Sequence, residues 1–325
     1  MSRQMVYAPS WRLTMVQYDD GKRTRRQALS GLLAGAAAVA CSTGAQRNAA
    51  EELPPLAVGE GEPGQAPPPA AMGRAVTDQV ALGSTGIQVS RLAMGSGTHG
   101  YGGASDQTRL GLTGFSSLLV DSFERGITFW ETADQYGAHR HVAAALRQVG
   151  RQNVVALTKS HAETAADMQA DLERFLQELG TDYLDVVLLH AKESARWTEQ
   201  CAGAMEYLEG AKQRGLIRAH GVSCHTLAAL ELAAATPWVD VDFARINPFG
   251  LHMDADPATV KGVLERMKSA GKGVIGMKIL GQGDAVGRFD EAIEHAVRLD
   301  CIDGFTIGFV SNAQLEQVTT KVQSV

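Results

Sequence analysis

Four side chains in this 325-residue sequence have the types that reduction of a carbonyl group requires: Glu131, Tyr136, Lys159 and His190. A phenol alone, with a pKa near ~10, is a poor acid at neutral pH. An ammonium beside it favours the phenolate and lowers that value, and a carboxylate behind the ammonium holds it in place and keeps it charged. An imidazole near the phenol can hydrogen-bond the substrate oxygen and orient it. Such a set would protonate a carbonyl oxygen as hydride arrives from a nicotinamide. Each residue also has a plain structural reading. Glu131 and Lys159 could be an ion pair at a rim, Tyr136 a loop tyrosine and His190 a satisfied strand-end histidine. The case for a site is that all four fall at or just beyond the ends of consecutive short apolar runs.

Those runs set the architecture. Strands are expected near 92–94, 128–131, 154–158, 184–189, 217–222, 241–246, 273–277 and 304–307, with a helical pattern after each. Alternation of this kind is the signature of parallel strands joined by crossover helices. From residue 80 to 325 the length suits one (β/α)8 TIM barrel, which takes roughly 250 residues. A short β-hairpin, 80–82 and 87–89 around Gly-Ser-Thr-Gly, precedes it. The clearest helix is 164–179, where Met168, Leu172, Phe175, Leu176 and Leu179 recur at steps of three and four and Gly180 suits a left-handed cap. In such a barrel, chemistry sits at the C-terminal ends of the strands. Ser223, Arg245, Asn247 and Lys278 end later runs and join the candidates.

The motifs then carry a resemblance. Gly126-Ile127-Thr128-Phe129-Trp130-Glu131-Thr132-Ala133-Asp134-Gln135-Tyr136-Gly137 resembles the aldo-keto reductase signature. Leu157-Thr158-Lys159, the run Asp182 to His190, Gly221-Val222-Ser223, the run Gly273 to Gly281, and Thr306-Ile307-Gly308 resemble its later blocks in the same order. The resemblance covers about 80–322. It implies Tyr136 as general acid, Lys159 as its activator, His190 as carbonyl orienter, Glu131 as the supporting carboxylate and a small-molecule aldehyde or ketone as substrate. It also implies NADPH as hydride donor, with NADH as the second option. Gly97, Thr98, Ser223, Met277, Lys278, Leu280, Gly281, Gly308 and Gln314 would hold the nucleotide. The chain departs from the family where the aspartate is Glu131, the asparagine after the strand-five serine is Cys224, the strand-six glutamine aligns with Phe243 and the stacking aromatic with Met277. Gly308 and Gln314 stand where many members place the Lys and Arg that hold the adenosine 2′-phosphate.

Other signals are weaker. Gly95-Ser96-Gly97-Thr98-His99-Gly100 fits G-x-G-x-x-G, but a dinucleotide fingerprint needs a helix at once and an acidic residue about 20 positions on; the segment reads instead as a loop over the barrel mouth. His139-x-His141 and the pair His220/His225 lack a completing carboxylate at motif spacing, so no metal is expected. Net charge is −6, which argues against a nucleic-acid partner. Four cysteines without C-x-x-C spacing exclude a disulfide scaffold or zinc ribbon, and Cys201 and Cys301 read as packing residues.

Residues 1–41 form a leader. Arg25-Arg26 within Thr24-Arg25-Arg26-Gln27-Ala28-Leu29 resembles a twin-arginine export signal. An apolar run to Ala40 with Ala38-Val39-Ala40 completes a signal peptide too short to span a bilayer. Cys41 is placed for lipidation, the one expected link to a membrane. Residues 42–79, with six of the ten prolines, read as a disordered linker. The expected protein is exported by the twin-arginine machinery to the periplasm or anchored by lipid at the envelope. The rival to an enzyme is an exported, non-catalytic barrel that binds a small anion with Arg245, Lys278 and His190.

Overall fold

A computed structural model describes residues 75–325. The leader, its twin-arginine pair, Cys41 and the linker up to residue 74 lie outside the described residues. Among the described residues the first elements form an antiparallel hairpin, β1 (Gln79–Ala81) and β2 (Gln88–Ser90). Residues ahead of position 80 already pack with this fold. Val76 is buried, and its carbonyl accepts from the Leu92 N–H at 3.1 Å.

Eight parallel strands follow: β3 (Leu92–Gly95), β4 (Phe129–Glu131), β5 (Val155–Ser160), β6 (Leu184–Lys192), β7 (Ile217–Cys224), β8 (Val241–Arg245), β9 (Gly273–Met277) and β10 (Gly304–Gly308). They close into a barrel in which β10 pairs with both β9 and β3. The helices are α1 (Gly111–Glu124), α2 (His139–Val149), α3 (Ala165–Leu179), α4 (Trp197–Gln200), α5 (Ala202–Gln213), α6 (Leu227–Ala235), α7 (Pro257–Ser269), α8 (Phe289–Arg298) and α9 (Asn312–Gln323). The fold is the (β/α)8 barrel that the alternating runs predict. In α3, Thr164 Oγ1 accepts from the Asp167 N–H and Gly180 takes the left-handed cap. Among the described residues no helix is long and apolar enough to cross a membrane.

Two apolar layers divide the strands by parity. Ala93, Phe129, Leu157, Val186, Leu188, Val241, Phe243, Ile275 and Met277 fill the interior, and Leu82, Ile87 and Val89 of the hairpin join them. Met94, Trp130, Ala156, Val187, Leu189, Val222 and Val274 pack outward under the helices. Because successive strand residues point to opposite faces, two residues on from an interior position is again interior. That rule carries Glu131, Lys159, His190 and Arg245 inward at the open end. The hairpin covers the other end: Ser84 N–H donates to Gly271 O at 2.8 Å, and Gly83 N–H to Asp303 at 3.1 Å.

β6 departs from expectation. Its ladder runs on through His190 to Lys192, with Ala191 at φ 50° and a register shift between Leu189 and Lys192. Such bulges re-aim side chains beside active sites. Here Ser223 Oγ accepts the Ala191 N–H at 2.9 Å, filling the bond the bulge would leave unmade.

Candidate active site

The barrel mouth brings the four predicted chemical groups together. Lys159, 1% exposed, donates to Glu131, 5% exposed, and to the Thr132 carbonyl at 3.1 Å. Its Nζ lies 5.2 Å from the centre of the Tyr136 ring and 4.6 Å from that of Phe243. Tyr136 Oη lies 3.5 Å from His190 Nε2, with the rings edge to face. Tyr136 is positioned by a one-turn 3-10 helix, Asp134–Tyr136, that follows β4 and ends in the left-handed Gly137.

The electrostatics modify the sequence expectation. A neighbouring ammonium would lower the phenol, yet burial, reinforced by the Glu131 charge, pushes Tyr136 well above 10. The reason is geometric: Lys159 spends its protons on Glu131 and Thr132, not on the phenol oxygen. Burial also lowers Lys159, against the opposing pull of Glu131. His190 is driven far below its ordinary value by burial and then by Lys159, His161, His225 and Lys192. At neutral pH the site therefore holds a protonated phenol beside a neutral imidazole, a proton donor with a neutral hydrogen-bonding partner.

The glycine-rich loop serves this phenol. A Cβ on Gly97 would stand 2.2 Å from Tyr136 Cε2, and one on Gly100 2.4 Å from Cδ1. Both positions must lack a side chain so that the loop can lie on the ring, which accounts for the G-x-G-x-x-G spacing without a dinucleotide.

The nucleotide candidates gather at the mouth with different duties. Ser223 and Met277 line it from β7 and β9, and Met277 belongs to the interior layer. Beyond β9 the loop turns through left-handed backbone at Lys278, Gly281, Gln282 and Gly283, while Leu280 is half-buried. Lys278 Nζ donates to Gln282 at 2.9 Å. Gly308 ends β10 against the first loop: its Cβ would fall 2.3 Å from Thr98 Oγ1 and 2.6 Å from Gln107 Nε2, and those two side chains bond each other. Gln314 helps to start α9, its Oε1 accepting the Val310 N–H at 2.9 Å. Cys224 and Phe243 part company. Cys224 packs outward near Asp242, and Phe243 faces inward beneath Lys159.

Sequence reasoning missed three groups. His161 stacks on His190 with ring centres 4.6 Å apart. His225, which the sequence paired with His220 as a potential ligand, lies close enough to Arg245 and Lys278 for their charges to help push it down to about 4, burial being the larger cause. His220 faces away, stacked on Trp238 at 4.2 Å. Asp254 holds Arg245. Both lie one residue past a strand end, β5 for His161 and β7 for His225, and those strands run two residues further than the apolar runs predict. His139 joins Asp134 and Glu178 in a group of metal-ligand spacing, and Arg174 donates to both carboxylates and to Asp171.

Residues 93–300 match the family model described as the aldo/keto reductase family. The chain belongs to the aldo/keto reductase family. Curated relatives include aldo-keto reductase YhdN of Bacillus subtilis, 27% identical over 47% of this chain and 49% of that protein. Methylglyoxal reductase YeaE of Escherichia coli is 35% identical over 42% of this chain and 46% of its own. The chain thus spans about half the length of these relatives. Among solved structures, the holo form of an aldo-keto reductase from Bacillus halodurans superposes with a TM-score of 0.62 at 17% identity, over 77% of this chain and 92% of that one. At that identity the likeness speaks for the fold alone.

Proposed function

We propose that this protein reduces an aldehyde or ketone to the alcohol with NAD(P)H, Tyr136 giving the proton. The observation that carries the reading is the 3.5 Å approach of Tyr136 Oη to His190 Nε2 beside the buried Lys159–Glu131 pair, with burial raising the phenol and lowering the imidazole. His190 would orient the carbonyl oxygen toward the phenol. Lys159 would stabilise the phenolate left behind, and Glu131 keeps that lysine charged against burial. The nicotinamide, when bound, supplies hydride to the carbonyl carbon.

The residues fit the nicotinamide end of such a group. Ser223 Oγ accepts from Ala191 and so keeps its own proton for a carboxamide oxygen. The glycine-rich turn after β9, left-handed at Gly281, Gln282 and Gly283, would meet the diphosphate with its backbone N–H groups. At Gly308 and Gln314 no cation is offered, so nothing at those two positions selects NADPH over NADH. Export of the barrel through its twin-arginine signal belongs to the same proposal; replacing Arg25 and Arg26 by lysine is expected to retain it in the cytoplasm, as fractionation would read.

The test is Tyr136→Phe, which keeps the ring and deletes the acid. Loss of a general acid costs about 10²–10⁴-fold. The variant is expected to lose reduction of a test aldehyde by that factor while still quenching tryptophan fluorescence on titration with NADPH or NADH. Unchanged turnover would reject the assignment. Nucleotide-independent binding of a small anion with no turnover in the wild type would favour the non-catalytic barrel instead.

A further inference from the structure

The mouth carries nitrogen at the end of every strand from β5 to β9, and one of its cations lacks a carboxylate partner. Lys159 is matched by Glu131, Arg245 by Asp254, and Lys192 by Glu163 at 3.8 Å. Lys278 has only the neutral amide of Gln282. Of these four cations Lys278 is the one without a carboxylate partner, in a protein whose net charge is −6.

The register puts that charge beside Arg245. Arg245 pairs with Met277 across β8 and β9, and Lys278 is the next residue. Arg245 is held rather than free: Nε and Nη2 both meet Asp254, whose side chain is fully buried. That pairing leaves Nη1 for a ligand. Lys278 is fixed by its left-handed backbone at φ 60° and by Asn247 Nδ2, which donates to its carbonyl at 3.1 Å. A half-buried cation beside a clamped guanidinium is a receptor for one negative charge.

We infer that the substrate is an oxo-acid, its carbonyl at Tyr136 and His190 and its carboxylate held by Lys278 and Arg245. A single ammonium without a carboxylate partner matches a carboxylate better than a phosphate dianion. This inference rests on the reductase reading above and names its substrate class. The diphosphate of the nucleotide has the same anionic chemistry, so the experiment must separate the two sources.

The full chain is assayed with 4-carboxybenzaldehyde and its neutral isostere 4-carbamoylbenzaldehyde. Wild-type kcat/KM is expected to favour the acid by about tenfold or more, the scale of a charge-assisted hydrogen bond. In Lys278→Met and Arg245→Met that ratio should fall toward one, and rising salt should erode it in the wild type. Lys278→Met is the safer variant, since Arg245→Met strands buried Asp254. A wild-type ratio near one with both aldehydes reduced overturns the substrate class and leaves the reductase standing. Weaker nucleotide binding in Lys278→Met with the ratio intact assigns the charge to the diphosphate and likewise overturns the inference. If neither aldehyde is reduced, the reductase reading fails. Calorimetry with 4-(hydroxymethyl)benzoate against 4-(hydroxymethyl)benzamide then still decides: equal affinities reject carboxylate recognition, and a preference for the benzoate that Lys278→Met abolishes upholds it.

Discussion

Replacing Gly97 with alanine is expected to silence the site while the barrel stays folded. The new Cβ would stand 2.2 Å from Tyr136 Cε2, whereas ordinary contact begins at 3.4 Å, so loop and ring must part by about 1.2 Å. The ring has little room to retreat, because the loop also lies against its other edge at Gly100. Misplacing a reacting group by ~1 Å costs about 10²-fold in rate, and overpacking costs about 1–3 kcal/mol in stability. The assay is kcat for a test aldehyde beside urea unfolding. Gly262→Ala serves as control, since nothing lies within 4 Å of a Cβ there; inside α7 that change should stabilise by roughly 0.5–1 kcal/mol. In a Tyr136→Ala background the unfolding penalty of Gly97→Ala should largely vanish, because the atoms it strikes are gone. Wild-type turnover in Gly97→Ala, or a penalty that persists without the tyrosine ring, refutes the reasoning.

Two further outcomes follow from the buried charges. Glu131→Gln leaves Lys159 buried without its partner and is expected to cost about 3–5 kcal/mol, most of it recovered when Lys159→Met is added; equilibrium unfolding of the two variants reads both effects. His225 titrates at about 4 in the fold, pushed down by burial and by Arg245 and Lys278, against ~6.5 in the unfolded chain. The unfolded state thus takes up the proton first, and stability is full above pH ~6.5 and declines as pH falls toward 4, by up to about 3 kcal/mol. In His225→Gln that part of the slope should disappear from unfolding curves taken across the window; an unchanged slope would rule out His225 as its source.

Much of this was legible in the chain. Strand positions followed from apolar runs because a parallel barrel buries both faces of each strand. Once the runs were placed, parity alone carried Glu131, Lys159, His190 and Arg245 to one rim. The remainder depended on contacts that no local pattern encodes. Sequence could not reveal that the bulge at Ala191 needs Ser223, or that His161 stacks on His190. The direction of the phenol shift was misread because it turns on whether Lys159 faces an oxygen of Glu131 or of Tyr136, a difference of a few ångströms within one cluster. Gly97 and Gly100 fit the spacing of phosphate-binding glycines because close approach to an aromatic ring and to a diphosphate both demand the absence of a Cβ.

The hairpin that fills one end of the barrel has a consequence for biosynthesis. Leu82, Ile87 and Val89 share their apolar layer with Ile275 and Met277, and β3 completes its ladder on β10, where Phe305 faces Leu92. On the ribosome, the first strands emerge long before these partners exist. At roughly 5–20 residues per second, more than two hundred residues of translation amount to on the order of ten to forty seconds. Throughout that interval the nascent chain presents an unclosed sheet edge and an uncovered apolar plug, so chaperone capture should peak before residue 308 leaves the exit tunnel and end abruptly once the ring shuts.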